Sequence, residues 1–241
     1  MTMLIAEIGN NHFGNLFRFK ELIRAAHEAG ADLIKSQAFK AEDIRSGSMP
    51  LSFYQRCEFS EDTYCELIDY ARGIGTDLFF SIFSIGFSKL LTKQKYYKIT
   101  GSQSLLGRFI RYEDNNNLFI SVKSKKVLGI MHETFKEANF MYVSDYCSDV
   151  ATMDPMLSTI DVFKKQINKN IGYSDHAIGI SNCLKAIDEY RVSTIEKHFC
   201  MENHESFNGI VFRDTVHGVT SKEFEILALK MSLLPKLDKR G

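Results

Sequence analysis

The 241-residue sequence is short of several things, and each shortage excludes something. It has no surplus charge. Lys and Arg number 30 against 30 Asp and Glu, so no global field draws in nucleic acid or an anionic membrane, and any anion site must be local. No basic stripe with interleaved aromatics marks a nucleic-acid surface. No apolar run reaches the ~20 residues that a membrane span requires. The opening "MTMLIAEIG" has neither a basic start nor a long apolar core, which argues against a secretory signal. The five cysteines, Cys57, Cys65, Cys147, Cys183 and Cys200, are odd in number and form no CxxC pair. Free thiols in a reducing cytoplasm are expected, rather than a disulfide framework or a thiolate zinc site. With only 3 prolines, no linker and no low-complexity segment, nothing divides the chain.

What is present is ordinary globular material, 44% hydrophobic and 25% charged, enough for a sizeable core. Its organisation is alternation. "MLIAEIG", "DLIKSQAF", "DLFFSIF", "YYKIT", "LFISV", "FMYVSDY", "IGYSD" and "STIEKHF" read as eight strands. Helices are expected between and after them. In "NLFRFKELIRAAHEAGA", Phe19, Leu22, Ile23 and Ala26 share a face, and Gly30 sits where a C-cap glycine belongs. "SEDTYCELIDYARGIG" opens on a Ser N-cap and acidic residues. A short helix is expected around Phe87 to Leu91, and further helices in "LLGRFIRYEDN", "KSKKVLGIMHETFKEA", "DPMLSTIDVFKKQIN" with Pro155 at N1, and "SNCLKAIDEYR". A loop to about Thr220 leads to a last helix, "SKEFEILALKMSLL".

Strands alternating with helices imply parallel pairing. Eight such units fit an α/β fold of the (β/α)8 TIM-barrel type, in one domain over residues 1–241. An open doubly wound sheet is the alternative, and no GxGxxG after the first strand supports it. In a barrel, chemistry gathers at the C-terminal ends of the strands. Those ends carry Glu7 with Asn10, Asn11 and His12; Lys35 and Gln37; Ser81; Lys98; Ser121; Ser144 and Tyr146; Ser174, Asp175 and His176; Glu196 and His198.

His176 and His198 stand one βα repeat apart, hence on neighbouring strands, where two neutral imidazoles can bind a divalent metal. A strand-end histidine can equally be a hydrogen-bonded structural residue. Lys35 and Lys98, with hydroxyls from Ser121, Ser144 and Ser174, could cradle a phosphate or carboxylate, or they could be rim lysines and strand-end caps. Glu7 ends an apolar strand, where a carboxylate requires a partner. It is either an acid/base group or one half of a salt bridge.

Taken in order, "AEIGNNHFG", "IKSQAFKAED", "YYKI", "GYSDHAIGI" and "IEKHF" resemble the successive barrel motifs of the N-acetylneuraminate (sialic acid) synthase family, which includes other nonulosonate synthases. "SFYQRCEFSEDTY" and "FRDTVHGVTSKEF" resemble its segments before the second helix and after strand eight. The resemblance implies condensation of phosphoenolpyruvate with an N-acylated hexosamine such as N-acetylmannosamine, releasing phosphate and giving a nine-carbon 2-keto acid. It implies His176 and His198 as ligands of a divalent cofactor, Mn2+ or Mg2+, and Glu7 as acid/base. Lys35, Lys98, Ser121, Ser144 and Ser174 would hold phosphoenolpyruvate. Gln37, Gln103, Tyr146 and Asp214 would face the sugar.

The sequence also departs from the family. Gly101 takes a serine position, and Gln103 replaces a carboxylate. Ser81-Ile82-Phe83 loses a phosphate-contacting threonine, Ser121-Val122-Lys123 gains a cation, and Cys147 follows Tyr146 in place of a proline. Full family members carry a C-terminal antifreeze-like domain that covers a partner's site. The expectation here is the barrel without that domain, as a homodimer or with a separate protein supplying the cover. A non-catalytic relative that keeps the pocket, and a metal barrel joining a different aldehyde, are the competing readings.

Overall fold

The structure is a computed structural model that describes residues 3–44, 48–100, 117–146 and 156–234. Eight parallel strands close into a barrel in sequence order. They are β1 Met3–Gly9, β2 Leu33–Ala38, β3 Asp77–Ile82, β4 Tyr97–Thr100, β5 Leu118–Val122, β6 Asn139–Val143, β7 Gly172–Asp175 and β8 Thr194–His198. The barrel, and not the open sheet, is therefore the fold: β8 pairs back onto β1, with Glu7 beside His198.

The strand period of two explains both faces of the wall. Along β1, Leu4, Ala6 and Ile8 point outward into the main core, which the helices cover. Ile5 points inward and joins Leu33, Phe79, Phe119 and Met141 in an apolar plug that fills the lower barrel. Phe79 and Phe119 stack there with ring centres 5.9 Å apart. Two residues further along the same inward rows come Glu7, Lys35, Ser81 and Ser121. A polar layer thus lies directly on the apolar one.

The helices form where the apolar spacing called for them. Helix α1, Leu16–Glu28, buries Phe19, Leu22, Ile23 and Ala26, and Asn15 caps it by accepting from Arg18 N–H. Gly30 follows with φ +90°, a conformation that glycine adopts without strain. The loop between β2 and β3 holds an unforeseen helix, α2, Leu51–Cys57. Helix α3 spans Glu61–Gly73, and its Ser60 cap accepts from Thr63 N–H as expected. Next come α4, Ser88–Lys93, and α5, Lys125–Thr134, capped by Ser124. They are followed by α6, Thr159–Ile167, and α7, Ser181–Asp188. The "LLGRFIRYEDN" helix and Pro155 lie outside the described residues; α6 itself begins at Thr159.

The stretch read as a plain loop to Thr220 is structured. A hairpin pairs β9, Ser206–Phe207, with β10, Ile210–Val211. Its turn, Asn208-Gly209, has φ 51° and 79°. Two successive left-handed residues are what an Asn-Gly hairpin turn supplies, so the dipeptide was a readable signal. Helix α8, Arg213–Val216, follows, then α9, Ser221–Ser232, with a complete capping box at Thr220 and Glu223. Phe39, Phe53, Tyr54 and Phe212 form a small aromatic core that ties α2 to this hairpin segment. Cys57, Cys65, Cys183 and Cys200 are free thiols, and Cys147 lies outside the described residues. Among the described residues, no helix is long and apolar enough to cross a membrane.

Candidate active site

A cavity of about 460 Å³ opens at the C-terminal ends of the strands. Glu7, Lys35, Gln37, Lys98, Ser121, Tyr146, Ser174, His176 and His198 line it, which brings together nine of the residues named from the sequence. Gln103 lies outside the described residues.

The centre of the cavity is a buried charge network. Lys35 from β2 pairs with Glu7 from β1, both nearly inaccessible. Glu7 Oε1 also accepts from Gly9 N–H at 2.7 Å. Gly9 turns the chain at φ +45°, a backbone conformation that a side chain would strain, and its open face lies against the Glu7 and Asp214 carboxylates. The sequence offered two roles for Glu7; the free chain has the ion pair.

Glu196, a strand-end residue given no role above, occupies the middle of the network. Its Oε1 accepts from Lys98 Nζ at 2.6 Å and from Ser174 Oγ at 2.8 Å. Lys35 Nζ stands 3.9 Å from its Oε2. Burial alone would raise the Glu196 carboxyl, but the Lys35 and Lys98 ammoniums prevail and hold it down at about 2. Burial lowers Lys35 to about 8, against the opposing pull of Glu196. Both glutamate and lysine remain charged near neutral pH. The sequence signal for Glu196 was its place two residues before His198, on the same inward row.

The β6–β8 wall carries the histidines. Their ring centres are 5.1 Å apart. Burial above all lowers both to about 3, with the Lys35 and Lys197 charges adding to it at His198, so both imidazoles are neutral. His176 Nδ1–H donates to the Ser144 carbonyl at 2.9 Å, which leaves its Nε2 lone pair free. Tyr146 O–H donates to Asp214 Oδ1 at 2.8 Å and can accept from His198 Nε2–H at 3.3 Å. That assignment leaves the buried His198 Nδ1 as a lone pair with no partner among the described residues. Two neutral rings, each with one unused lone pair, fit a divalent cation as far as two nitrogen donors go. Among the described residues no third His, Cys, Asp or Glu completes a ligand set, so solvent or substrate oxygens would have to.

Two of the described residues that the resemblance gave a ligand-binding role do not line the cavity. Ser144 is fully buried and buttresses His176: its Oγ accepts from His176 N–H at 3.0 Å. Asp214 sits under Tyr146, on α8, and burial raises its carboxyl. Tyr146 is the keystone of this wall. It stacks on His176 at 4.6 Å, and the Arg213 guanidinium lies 3.7 Å over its ring centre. His217 meets it edge-on at 5.0 Å. Neither Arg213 nor His217 was singled out from the sequence, because only the fold of α8 brings them onto Tyr146.

Behind the histidines runs a second buried network. Lys197 donates to Asp175 Oδ2 at 2.9 Å, with no solvent exposure on either side chain. Asp175 Oδ1 accepts from Tyr173 O–H at 2.9 Å and from Ala177 N–H at 3.0 Å. Strand alternation makes this placement unavoidable. If His176 and His198 face inward, Asp175 and Lys197 face out, and each must find the other.

The β3–β5 wall is plainer. Ser81, Phe83, Thr100, Val122 and Lys123 line it. Ile82, between Ser81 and Phe83, packs against the outer core instead.

A family model described as the NeuB family matches residues 22–234. An uncharacterised protein of Methanocaldococcus jannaschii is 27% identical, over 84% of this chain and 63% of its own length. An N,N'-diacetyllegionaminic acid synthase of Legionella pneumophila is 26% identical, over 83% of this chain and 64% of its own. The chain therefore spans a little under two thirds of these relatives. Among solved structures, an N-acetylneuraminic acid synthetase from Leptospira borgpetersenii superposes with a TM-score of 0.81 at 21% identity, covering 100% of this chain and 88% of that one. The spore coat polysaccharide biosynthesis protein spsE of Bacillus subtilis gives 0.78 at 22%, covering 96% and 67%. At these identities the likeness is one of fold.

Proposed function

Because the chain belongs to the NeuB family, we propose that it condenses phosphoenolpyruvate with the aldehyde of an N-acylated hexosamine, adding water and releasing phosphate to give a nonulosonic 2-keto acid. One observation carries this reading. Two buried lysines from different strands, Lys35 and Lys98, converge on one carboxylate, Glu196, in the same cavity that presents two neutral imidazoles. An anion site and a site for a Lewis acid are what an enol phosphate and an aldehyde require of one pocket.

His176 and His198 would hold the divalent ion, Mn2+ or Mg2+, which supplies polarisation of the aldehyde oxygen. The rest falls to the chain. Lys35 and Lys98 bind the carboxylate and phosphate of phosphoenolpyruvate, exchanging their glutamate partners for substrate. Ser121 and Ser174 add hydroxyl donors. Glu7, freed from Lys35 as the substrate arrives, is the acid/base at the water that adds to C2. Tyr146, held by Asp214 and sandwiched between His176 and Arg213, belongs to the sugar-facing wall together with Gln37. A cytoplasmic setting accords with the free thiols.

Sialic-type and legionaminic-type acceptors both satisfy this chemistry. The test is phosphate release from phosphoenolpyruvate with Mn2+ and a panel of N-acylated hexosamines, with and without chelator. Release that depends on one sugar and stops with chelator is the expected result. Phosphoenolpyruvate bound but never turned over, with any sugar, would overturn the synthase reading in favour of a binding-only relative.

A further inference from the structure

Among the described residues, the inner ring of the cavity pairs each of its lysines with a carboxylate. Lys35 is paired with Glu7 and Lys98 with Glu196, all four buried. A phosphate brought to this ring has to displace those carboxylates, so a further cation on the cavity wall with a weaker partner adds directly to its binding.

The end of β5 supplies it. Ser121 and Lys123 both line the cavity. Ser121 is only 4% exposed and its hydroxyl makes no hydrogen bond among the described residues, so that hydroxyl is an unused donor at the cavity wall. Lys123 follows two residues later on the same row. Its partner is Asp145, and both side chains are more than half exposed, 57% and 66%. A pair that open to water contributes little and is readily exchanged for a ligand.

The chain then turns into α5, capped by Ser124, whose Oγ accepts from Val127 N–H at 3.3 Å. The first turn of this ten-residue helix holds Lys125 and Lys126 and no acid. Those two lysines face the α6 side and add only their field. The helix dipole has the same sign. Cation, unpaired hydroxyl and positive helix end coincide at one edge of the cavity.

We propose that Lys123, with Ser121 and the amino end of α5, forms a phosphate subsite in which Lys123 sets affinity. This rests on the synthase reading for the identity of the ligand, not for the chemistry, which is that of a phosphate group. The phosphate is either that of phosphoenolpyruvate or one carried by the acceptor sugar.

Calorimetric binding of inorganic phosphate and of phosphoenolpyruvate to the full chain, at two salt concentrations, tests it. Lys123→Gln is expected to weaken both about tenfold and to flatten the salt dependence. Asp145→Asn, which removes the competing carboxylate, is expected to tighten both a few-fold. Steady-state kinetics separate the two sources. A rise in KM for phosphoenolpyruvate alone places its phosphoryl group at Lys123, and a rise for a phosphorylated acceptor alone places the acceptor's there. Unchanged phosphate and phosphoenolpyruvate affinities in Lys123→Gln, with unchanged KM for a phosphorylated acceptor, overturn the subsite and leave the synthase reading intact. Wild-type protein that binds neither probe and turns over no phosphorylated acceptor overturns both.

Discussion

The two sides of the barrel mouth are built differently. On the β6–β8 side every inward group is braced by another. Ser144 holds His176, Asp214 holds Tyr146, and the Asp175–Lys197 pair stands behind both histidines. On the β3–β5 side Lys98 is tied to Glu196 in the depth of the cavity, but the outer lining of Ser81, Phe83, Thr100, Val122 and Lys123 is plainer, and Lys123 leans on an exposed aspartate. The first wall is organised before any ligand arrives. The outer edge of the second keeps its charge, Lys123, in a weak pair that a ligand can displace. Positioning an electrophile demands fixed geometry, whereas admitting and releasing a phosphate demands an exchangeable contact.

The braced wall should break hardest. Lys197→Met leaves the Asp175 charge buried without its counter-ion and should cost about 3–5 kcal/mol of stability. Thermal unfolding should then show a fall of roughly 10 °C. A fall of only a degree or two would mean that the wall is not held as described. Next comes the group between the walls. Glu7→Gln should lower phosphate release by about a hundredfold or more while phosphoenolpyruvate still binds, since acid/base groups contribute ~10²–10⁴. Retained turnover would return Glu7 to its salt bridge alone.

Acid should also attack from the β1 side. His12 is fully buried against Phe19, and burial lowers it to about 3. Its folded value lies below the unfolded one near 6.5, so the unfolded chain binds the extra proton and stability falls as pH drops through 6.5 toward 3. His12→Gln should reduce the slope of unfolding free energy between those limits by about 1.4 kcal/mol per pH unit. Denaturant titrations at several pH values would measure it, and an unaltered slope would place the proton elsewhere. The smallest effect is expected on the plain wall. Ile82 packs outward, so restoring a threonine there should leave KM for phosphoenolpyruvate within about twofold. A tenfold fall in KM would mean that this residue reaches the cavity.

Much of the site was legible because a parallel barrel turns chain order into geometry. A repeat spacing was enough to place His176 beside His198, and strand-end positions were enough to gather Glu7, Lys35, Lys98, Ser121 and Ser174. Ser144 does not line the cavity as its strand-end place suggested, because its hydroxyl turns to the backbone of His176 instead. Glu196 was seen but not weighted. Its importance lies in accepting from Lys98 and Ser174 while standing near Lys35, residues far apart in the chain. The β9–β10 hairpin was missed although Asn208-Gly209 announced it, because four strand residues are too few to show a period.

The sequence by itself determined the alternation, the apolar rows that build the core, the caps of α1 and α3, and which polar side chains end each strand. These are local matters of period and turn chemistry. Only the tertiary structure decided which partners those polar groups take. Barrel closure puts Glu7 next to His198, inward and outward parity sends Lys197 to Asp175 and Ile82 to the core, and α8 folds Asp214 and Arg213 onto Tyr146. Charges separated by whole repeats meet only when the sheet closes, and their partners set each one's protonation state.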